Sequence, residues 1–265
     1  MDVMIGYNAG CCASPSYSAV LIGSNAGRGA SGAAKHTGSG TIAIGGNAGC
    51  VITTGTFNTY MGESAGRCQC SGSENIAIGL CALLGSSTLT ANTGACNIAI
   101  GRESGRNMTS GTQNVLLGTD AGCTLAAGHN NVFIGCRTGC DMTSGFRNVF
   151  IGDSAGRSAS TGCLNVAIGC DAMAAGVLTG VNNIAIGCMA GRNVTGGNAN
   201  IFLGQYAGAN VTTGCNNIIL GQSTAGSATL TGVHNILMGH CTAKSITSAT
   251  RNVLIGPCAA VMNTV

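Results

Sequence analysis

The stretch NVLLGTDAGCTLAAGHNNVFIG, residues 114–135, contains the same short phrase twice. Each copy consists of Asn, three apolar residues and Gly, and the second copy begins 17 residues after the first. A motif that returns at a fixed interval indicates a repeat architecture, in which each copy is one structural unit that packs against its neighbours. This interval is therefore the strongest evidence for the fold in the sequence.

The repeat extends along the whole chain of 265 residues. Ten of the fourteen intervals between the anchor glycines that end each phrase are 17 residues, two are 18 and two are 22. We predict a single repeat domain over 1–265, with insertions near 28–40 and 84–96. The anchor glycines are Gly6, Gly23, Gly45, Gly62, Gly79, Gly101, Gly118, Gly135, Gly152, Gly169, Gly187, Gly204, Gly221, Gly239 and Gly256.

The composition of each copy favours strands over helices. The chain contains 45 glycines, and glycine is costly inside a helix. The apolar triplets between Asn and Gly are rich in Ile and Val, which are typical of strands. We predict an all-β fold, a parallel β-solenoid (β-roll or β-helix) of about fifteen coils of 17 residues.

An asparagine lies four residues before the anchor in twelve copies. Equivalent side chains of stacked coils lie above one another, and an amide both donates and accepts, so the column predicts a hydrogen-bonded Asn ladder. Asparagine also favours turns, which is the alternative interpretation. The column comprises Asn58, Asn75, Asn97, Asn114, Asn131, Asn148, Asn165, Asn183, Asn200, Asn217, Asn235 and Asn252.

The middle residue of each apolar triplet is uncharged in every copy. Neighbours in a strand point to opposite faces, so we assign the two flanking residues to the interior and the middle residue to the outside. An outward apolar column predicts an interface with further copies of the chain, because monomers rarely leave such a patch in water. The predicted oligomer interface comprises Leu116, Phe133, Phe150, Phe202, Ile219, Leu237 and Leu254.

The strand phrases also resemble two known groups of repeats. NVAIG at 165–169, NIAIG at 75–79, 97–101 and 183–187, and the Ala-Gly turns resemble the heads of YadA-like trimeric autotransporter adhesins. TTGTFN at 53–58 and TTGCNN at 212–217 resemble the TTGxxN repeats of phage and virus tail fibres. The resemblance implies a homotrimeric, left-handed β-roll on a cell or virion surface, with a role in adhesion or fibre architecture. It therefore implies an extracellular location, and surface glycans are possible partners.

Cysteines recur at equivalent positions of successive copies. Stacked residues have Cα atoms about 4.8 Å apart, a separation that a disulfide can span. We therefore predict disulfides between coils, with buried, small apolar side chains as the alternative interpretation. The candidate pairs are Cys123 with Cys140, Cys170 with Cys188, and Cys241 with Cys258.

Composition argues against several classes of function. The net charge is +3 without a basic block, so we expect no nucleic-acid partner, and no run of about 18 apolar residues predicts insertion into a membrane. We expect no cofactor and no metal site, because Cys68 and Cys70 lack the second pair that zinc requires. The pattern Asn-X-Thr marks Asn107, Asn193 and Asn210 as candidate glycosylation sites.

These observations favour a non-catalytic structural fibre or adhesin-type protein that assembles into a homo-oligomeric shaft or filament. One alternative is an ice-binding solenoid, since threonines recur in one column, namely Thr53, Thr109, Thr143, Thr195, Thr212 and Thr247. A second is a glycan-binding or glycan-cleaving protein of the tailspike type, with carboxylates at repeat turns as the candidate catalytic groups. These carboxylates are Glu63, Glu103, Asp120, Asp153 and Asp171. Their spacing does not predict a common cleft, so we do not expect an enzyme.

Overall fold

The computed structural model describes residues 2–13, 18–29, 37–86 and 92–260. It is a parallel β-solenoid with fifteen strands, each of three residues, and no helix in the described ranges. The predicted fold class is confirmed. The insertions predicted near 28–40 and 84–96 lie partly outside the described residues, at 30–36 and 87–91.

The chain divides into two compact units, Met1–Asn131 and Val132–Val265. Within each unit, every strand pairs in parallel with the strands before and after it, and equivalent positions of the repeat face each other. The first unit contains β1 (Val3–Ile5), β2 (Val20–Ile22), β3 (Ile42–Ile44), β4 (Thr59–Met61), β5 (Ile76–Ile78), β6 (Ile98–Ile100) and β7 (Val115–Leu117). The second contains β8 (Val132–Ile134), β9 (Val149–Ile151), β10 (Val166–Ile168), β11 (Ile184–Ile186), β12 (Ile201–Leu203), β13 (Ile218–Leu220), β14 (Ile236–Met238) and β15 (Val253–Ile255).

The strands have the opposite orientation to the one we predicted. Their middle residues point into the coil, and their first and third residues point outwards. Leu116, Phe133, Phe150, Phe202, Ile219 and Leu237 are fully buried, and Leu254 is half-buried. The assignment of these seven residues to an oligomer interface is therefore wrong: they are core residues. Alternation identifies which residues share a face, but it does not say which face is inside.

The Asn ladder is confirmed by its hydrogen bonds. In the first unit, the Asn58 Oδ1 accepts bonds from the backbone N–H and the side-chain amide of Asn75, at 2.9 and 3.2 Å. In the second unit, the Asn165 Oδ1 accepts the same two bonds from Asn183, at 2.9 and 3.0 Å. The amides of Asn75 and Asn165 also donate to the carbonyls of Gly94 and Gly180. The buried amide of each of these asparagines is therefore hydrogen-bonded to a neighbouring coil, as buried polar groups require.

Small and large side chains alternate between two positions of the core. Where the middle of the strand is Phe150, the fourth residue after the anchor is Gly156, and a Cβ there would lie 2.4 Å from the ring. Where the middle residue is Ala167, the corresponding position holds the buried Met173 instead of a glycine. Ala77 and Leu83 repeat this exchange in the first unit. In these coils a large side chain at one position is matched by a small one at the other, as close packing demands, whereas Ala43, Ala99 and Ala185 are paired with a glycine.

Three columns of the coil adopt left-handed backbone in residues other than glycine, a feature that the sequence did not predict. One is the fourth residue after the anchor, with φ of 46° in Leu83 and 50° in Met173. The second residue after the anchor has φ of 57° in Asp120 and 56° in Met189. The residue before the ladder asparagine has φ of 57° in Phe57 and 59° in Leu164. Left-handed backbone is uncommon for such side chains. The stacking of coils therefore imposes these turns regardless of residue type.

Tyr60 provides a test of the core. Its side chain is fully buried in a position that is Phe in other coils, and its hydroxyl makes no hydrogen bond. Burial raises the pKa of this phenol, so the group stays neutral. We expect Tyr60→Phe to raise the free energy of unfolding by about 1 kcal/mol, because it removes an unsatisfied buried polar group. Urea denaturation measures this, with Tyr206→Phe at an exposed position as the control. A loss of stability would show that the hydroxyl is hydrogen-bonded.

Candidate functional site: the outward face of the strands

The first and third residues of the strands form an outward face in each unit, which we call the aliphatic face. In the first unit it comprises Val3, Ile5, Val20, Ile22, Ile42, Ile44, Thr59, Met61, Ile76, Ile78, Ile98, Ile100, Val115 and Leu117. In the second it comprises Val132, Ile134, Val149, Ile151, Val166, Ile168, Ile184, Ile186, Ile201, Leu203, Ile218, Leu220, Ile236, Met238, Val253 and Ile255. Thr59 is the one polar residue, and no residue of the face is charged.

These side chains are accessible to solvent, although they are large and apolar. Ile42 is 38% exposed, Ile100 40% and Ile186 41%, and the other residues of the face are half-buried or exposed. Each side chain rests against equivalent residues of the coils before and after it, which explains the partial burial. None of the described residues covers the outer surface of the face.

The size of the face is set by the geometry of the strands. Residues rise about 3.3 Å along a strand and strands lie about 4.8 Å apart, so the face covers roughly 330 Å² in the first unit and 380 Å² in the second. Patches of about 300–600 Å² are the largest that monomers usually expose, and they are often functional. Either face alone is therefore large enough to act as a binding surface.

The aliphatic face of the second unit has more polar residues along both sides. The position after the anchor holds Cys136, Asp153, Cys170, Cys188, Gln205, Gln222, His240 and Pro257. Gln222 donates to Gln205 on the preceding coil at 3.1 Å. The other side, before the ladder, holds Arg147, Leu164, Asn182, Ala199, Asn216, His234 and Arg251. An apolar centre between largely polar margins is the usual composition of a protein interface.

Four charged residues of the first unit form a small ion-pair network near the turn after β6. Arg102 lies 3.6 Å from Asp120 and 4.0 Å from Glu103, and Arg106 lies 3.0 Å from Glu103. All four side chains are at least partly exposed, and such pairs add little stability. Glu103 and Asp120 are therefore both paired with arginine side chains in this structure.

The other candidate catalytic carboxylates are not gathered into one site. Glu63 and Asp153 are exposed and belong to different units. Asp153 and Asp171 lie on consecutive coils, where the Asp171 N–H donates to the Asp153 carbonyl at 3.0 Å. In the described ranges, no three His, Cys, Asp or Glu side chains are grouped so that they could hold a metal ion.

The threonine column behind the ice-binding alternative is used for hydrogen bonds inside the fold. The hydroxyls of Thr53, Thr109 and Thr195 donate to carbonyls of the following coil, at 2.9, 3.1 and 3.3 Å. Thr143 does the same at 3.4 Å. These hydroxyl hydrogens already bond to backbone carbonyls, so the column offers few free donors to an ice surface.

The three candidate glycosylation sites differ in their surroundings. The side-chain amide of Asn193 donates to the Asn210 Oδ1 at 2.7 Å, and the amide of Asn210 donates to the Gly226 carbonyl at 2.7 Å. Asn107 is exposed. A glycan would replace a hydrogen of the amide nitrogen, so in the folded chain Asn107 is the most accessible of the three.

The predicted disulfides are not formed in this structure, since no two cysteines lie at S–S bonding distance. Cys170 and Cys188 nevertheless occupy equivalent positions of consecutive coils, and so do Cys241 and Cys258. Cys241 also lies 3.4 Å from the imidazole of His240. All three pairings stay predictions.

The fold and its outward face define the chain as a parallel β-solenoid repeat protein. No protein-family model matches it, and neither a curated protein nor a solved structure does. None of the described residues form a helix with the length and apolarity that a membrane crossing needs.

Proposed function

We propose that this protein is a non-catalytic structural β-solenoid that associates with further copies of itself through the aliphatic face. The observation that carries the proposal is the composition of that face: of thirty outward positions on fifteen strands, only Thr59 is polar. The assembly is a homo-oligomeric shaft or filament on a cell or virion surface, as the resemblance to adhesin heads and tail fibres implies.

A second copy of the chain fits this face better than a foreign ligand does. The face repeats one chemistry from coil to coil and offers no hydrogen-bonding or charged group that would select a particular substrate. Identical columns of Ile and Val have the same spacing in every copy, so their ridges match when copies are related by rotation. Only 7% of the residues are charged and the net charge is +3, so electrostatic repulsion between copies is weak.

Strands whose outward side chains are covered by another copy would be buried on both faces. Such strands consist of continuous apolar runs, as the triplets of this chain do. A sheet that keeps one face in water instead alternates apolar residues on the core side with polar residues on the solvated side. The aliphatic face has only Thr59 as a polar residue, which supports an assembled state.

Introducing charge on the aliphatic face tests this proposal. We expect the full chain to sediment as an oligomer at micromolar concentration. The double variant Ile151→Lys, Ile168→Lys should sediment as a monomer with an unchanged circular dichroism spectrum, because both side chains are half-buried and point outwards. Two buried unpaired charges per copy would cost the interface several kcal/mol, enough to weaken association at least about a hundredfold.

The matched control places the same charges elsewhere on the second unit. Ser144 and Thr161 are exposed and lie on consecutive coils, away from the strands. The variant Ser144→Lys, Thr161→Lys should keep the oligomer. A monomeric parent chain would refute the proposal, and so would an oligomer that the aliphatic-face variant leaves intact.

A further inference from the structure

Cys170 and Cys188 are held side by side by the strand pairing of the second unit. Each follows the anchor glycine of its coil, after β10 and β11 respectively, and the register pairs Ile168 with Ile186 two positions earlier. Directly beyond them, the Met189 N–H donates to the Cys170 carbonyl at 2.8 Å. Equivalent residues of paired strands have Cα atoms about 4.8 Å apart, which lies within the range that disulfides span.

The two thiols share one environment at the margin of the aliphatic face. Cys170 is exposed and Cys188 is half-buried, so an external reagent can reach the pair through Cys170. Removal of water around the sulfur raises the pKa of the Cys170 thiol, and the carboxylate of Asp171, the Cys188 thiol and the carboxylate of Asp153 raise it further.

We infer that Cys170 and Cys188 are a site of reversible covalent modification, at which a low-molecular-weight disulfide such as oxidised glutathione closes a bond between consecutive coils. The Cys170 thiol loses its proton to solvent, and its thiolate attacks one sulfur of the small disulfide and releases one small thiolate. The Cys188 thiolate then attacks the Cys170 sulfur of the mixed disulfide and releases the second. Two protein thiols are oxidised to one disulfide, and one small disulfide is reduced to two thiols.

The new bond would brace the solenoid against separation of its coils. It closes a loop between residues 18 positions apart and fastens β10 to β11, which are otherwise held together by backbone hydrogen bonds. The reaction needs only the two cysteines of one chain. The inference therefore does not depend on self-association and can be tested separately from it.

Incubation of the native full chain with oxidised glutathione at pH 8.5 tests the site. Cleavage after arginine and before aspartate places Cys170 and Cys188 in different peptides, 158–170 and 171–192, so a disulfide between them joins two peptides. We expect mass spectrometry to find this linked pair, with fragmentation assigning it to Cys170 rather than Cys163. Cys136 is an internal control: it occupies the same position of its coil, but the next coil of its unit presents Asp153. It should retain a glutathione adduct.

Two further measurements decide the result. In Cys188→Ser, Cys170 should retain glutathione like Cys136, because no second thiol displaces it. In the oxidised parent chain, hydrogen exchange in β10 and β11 should slow by about tenfold or more, while β13 and β14 stay unchanged, and a reductant should reverse the effect. A parent chain in which Cys170 retains glutathione, or links to a cysteine other than Cys188, would overturn the inference.

Discussion

Replacing Asn165 with alanine is expected to lower the free energy of unfolding by about 3–5 kcal/mol. The side chain donates to the Asn148 Oδ1 at 3.3 Å and to the Gly180 carbonyl at 2.9 Å. Its Oδ1 accepts the backbone N–H and the side-chain amide of Asn183, at 2.9 and 3.0 Å. Alanine removes all four bonds. The buried backbone N–H of Asn183 then has no partner in a site that excludes water, while the Asn183 amide keeps its bond to the Gly197 carbonyl.

The last asparagine of the ladder provides the matched control. Asn252 is half-buried, and its amide donates to the Asn235 Oδ1 at 3.0 Å and to the Thr250 carbonyl at 3.1 Å. No residue of the described chain donates to its Oδ1, so Asn252→Ala leaves no described buried donor without a partner. Urea denaturation should show a cost of about 1 kcal/mol for this variant. Equal losses for the two variants would show that the ladder bonds do not act as a buried network.

The second large effect is expected at an anchor glycine. Gly152 has φ of +129°, and a Cβ at this position would lie 2.6 Å from the carbonyl oxygen of Gly169 on the next coil. This oxygen is a backbone atom, so it can move away from the added Cβ only if the two coils separate. We expect Gly152→Ala to cost about 4–5 kcal/mol, a sum of backbone strain and lost stacking, as measured by urea denaturation.

Gly256 separates these two contributions. It has φ of +123° at the same position of the last repeat, but a Cβ there would meet no described atom within 4 Å. Gly256→Ala should therefore show only the backbone strain, about 1–3 kcal/mol. If the two alanine variants lose the same stability, close approach of the coils is not the reason for the anchor glycines.

The orientation of the strands shows where the interpretation of the sequence failed and what would have corrected it. The ladder asparagine and the middle residue of the strand are two positions apart, so they point to the same side. A hydrogen-bonded ladder of amides belongs inside the coil, as the burial of Asn148 and Phe150 shows. The ladder hypothesis thus already implied an inward middle residue, and the two interpretations were incompatible.

The observed orientation of the strands, which is opposite to the predicted one, strengthens the case for self-association. With the middle residue outward, each strand would present one apolar side chain to solvent. In the structure each strand presents two, such as Val149 and Ile151 of β9. The chain therefore leaves more apolar surface uncovered than the predicted arrangement would, and this surface is what the proposed oligomer buries.

The sequence by itself determined the repeat length, the parallel stacking of coils and the ladder, because each follows from a residue type that recurs at a fixed interval. It did not determine how the core on that side of the strand is filled. The filling depends on how the rest of the coil closes, with Gly156 making room for Phe150 and Met173 compensating for Ala167. Only the tertiary structure shows these contacts. The period of the repeat says which residues are equivalent, but the path of the chain around the coil decides which side chains meet and how much space they share.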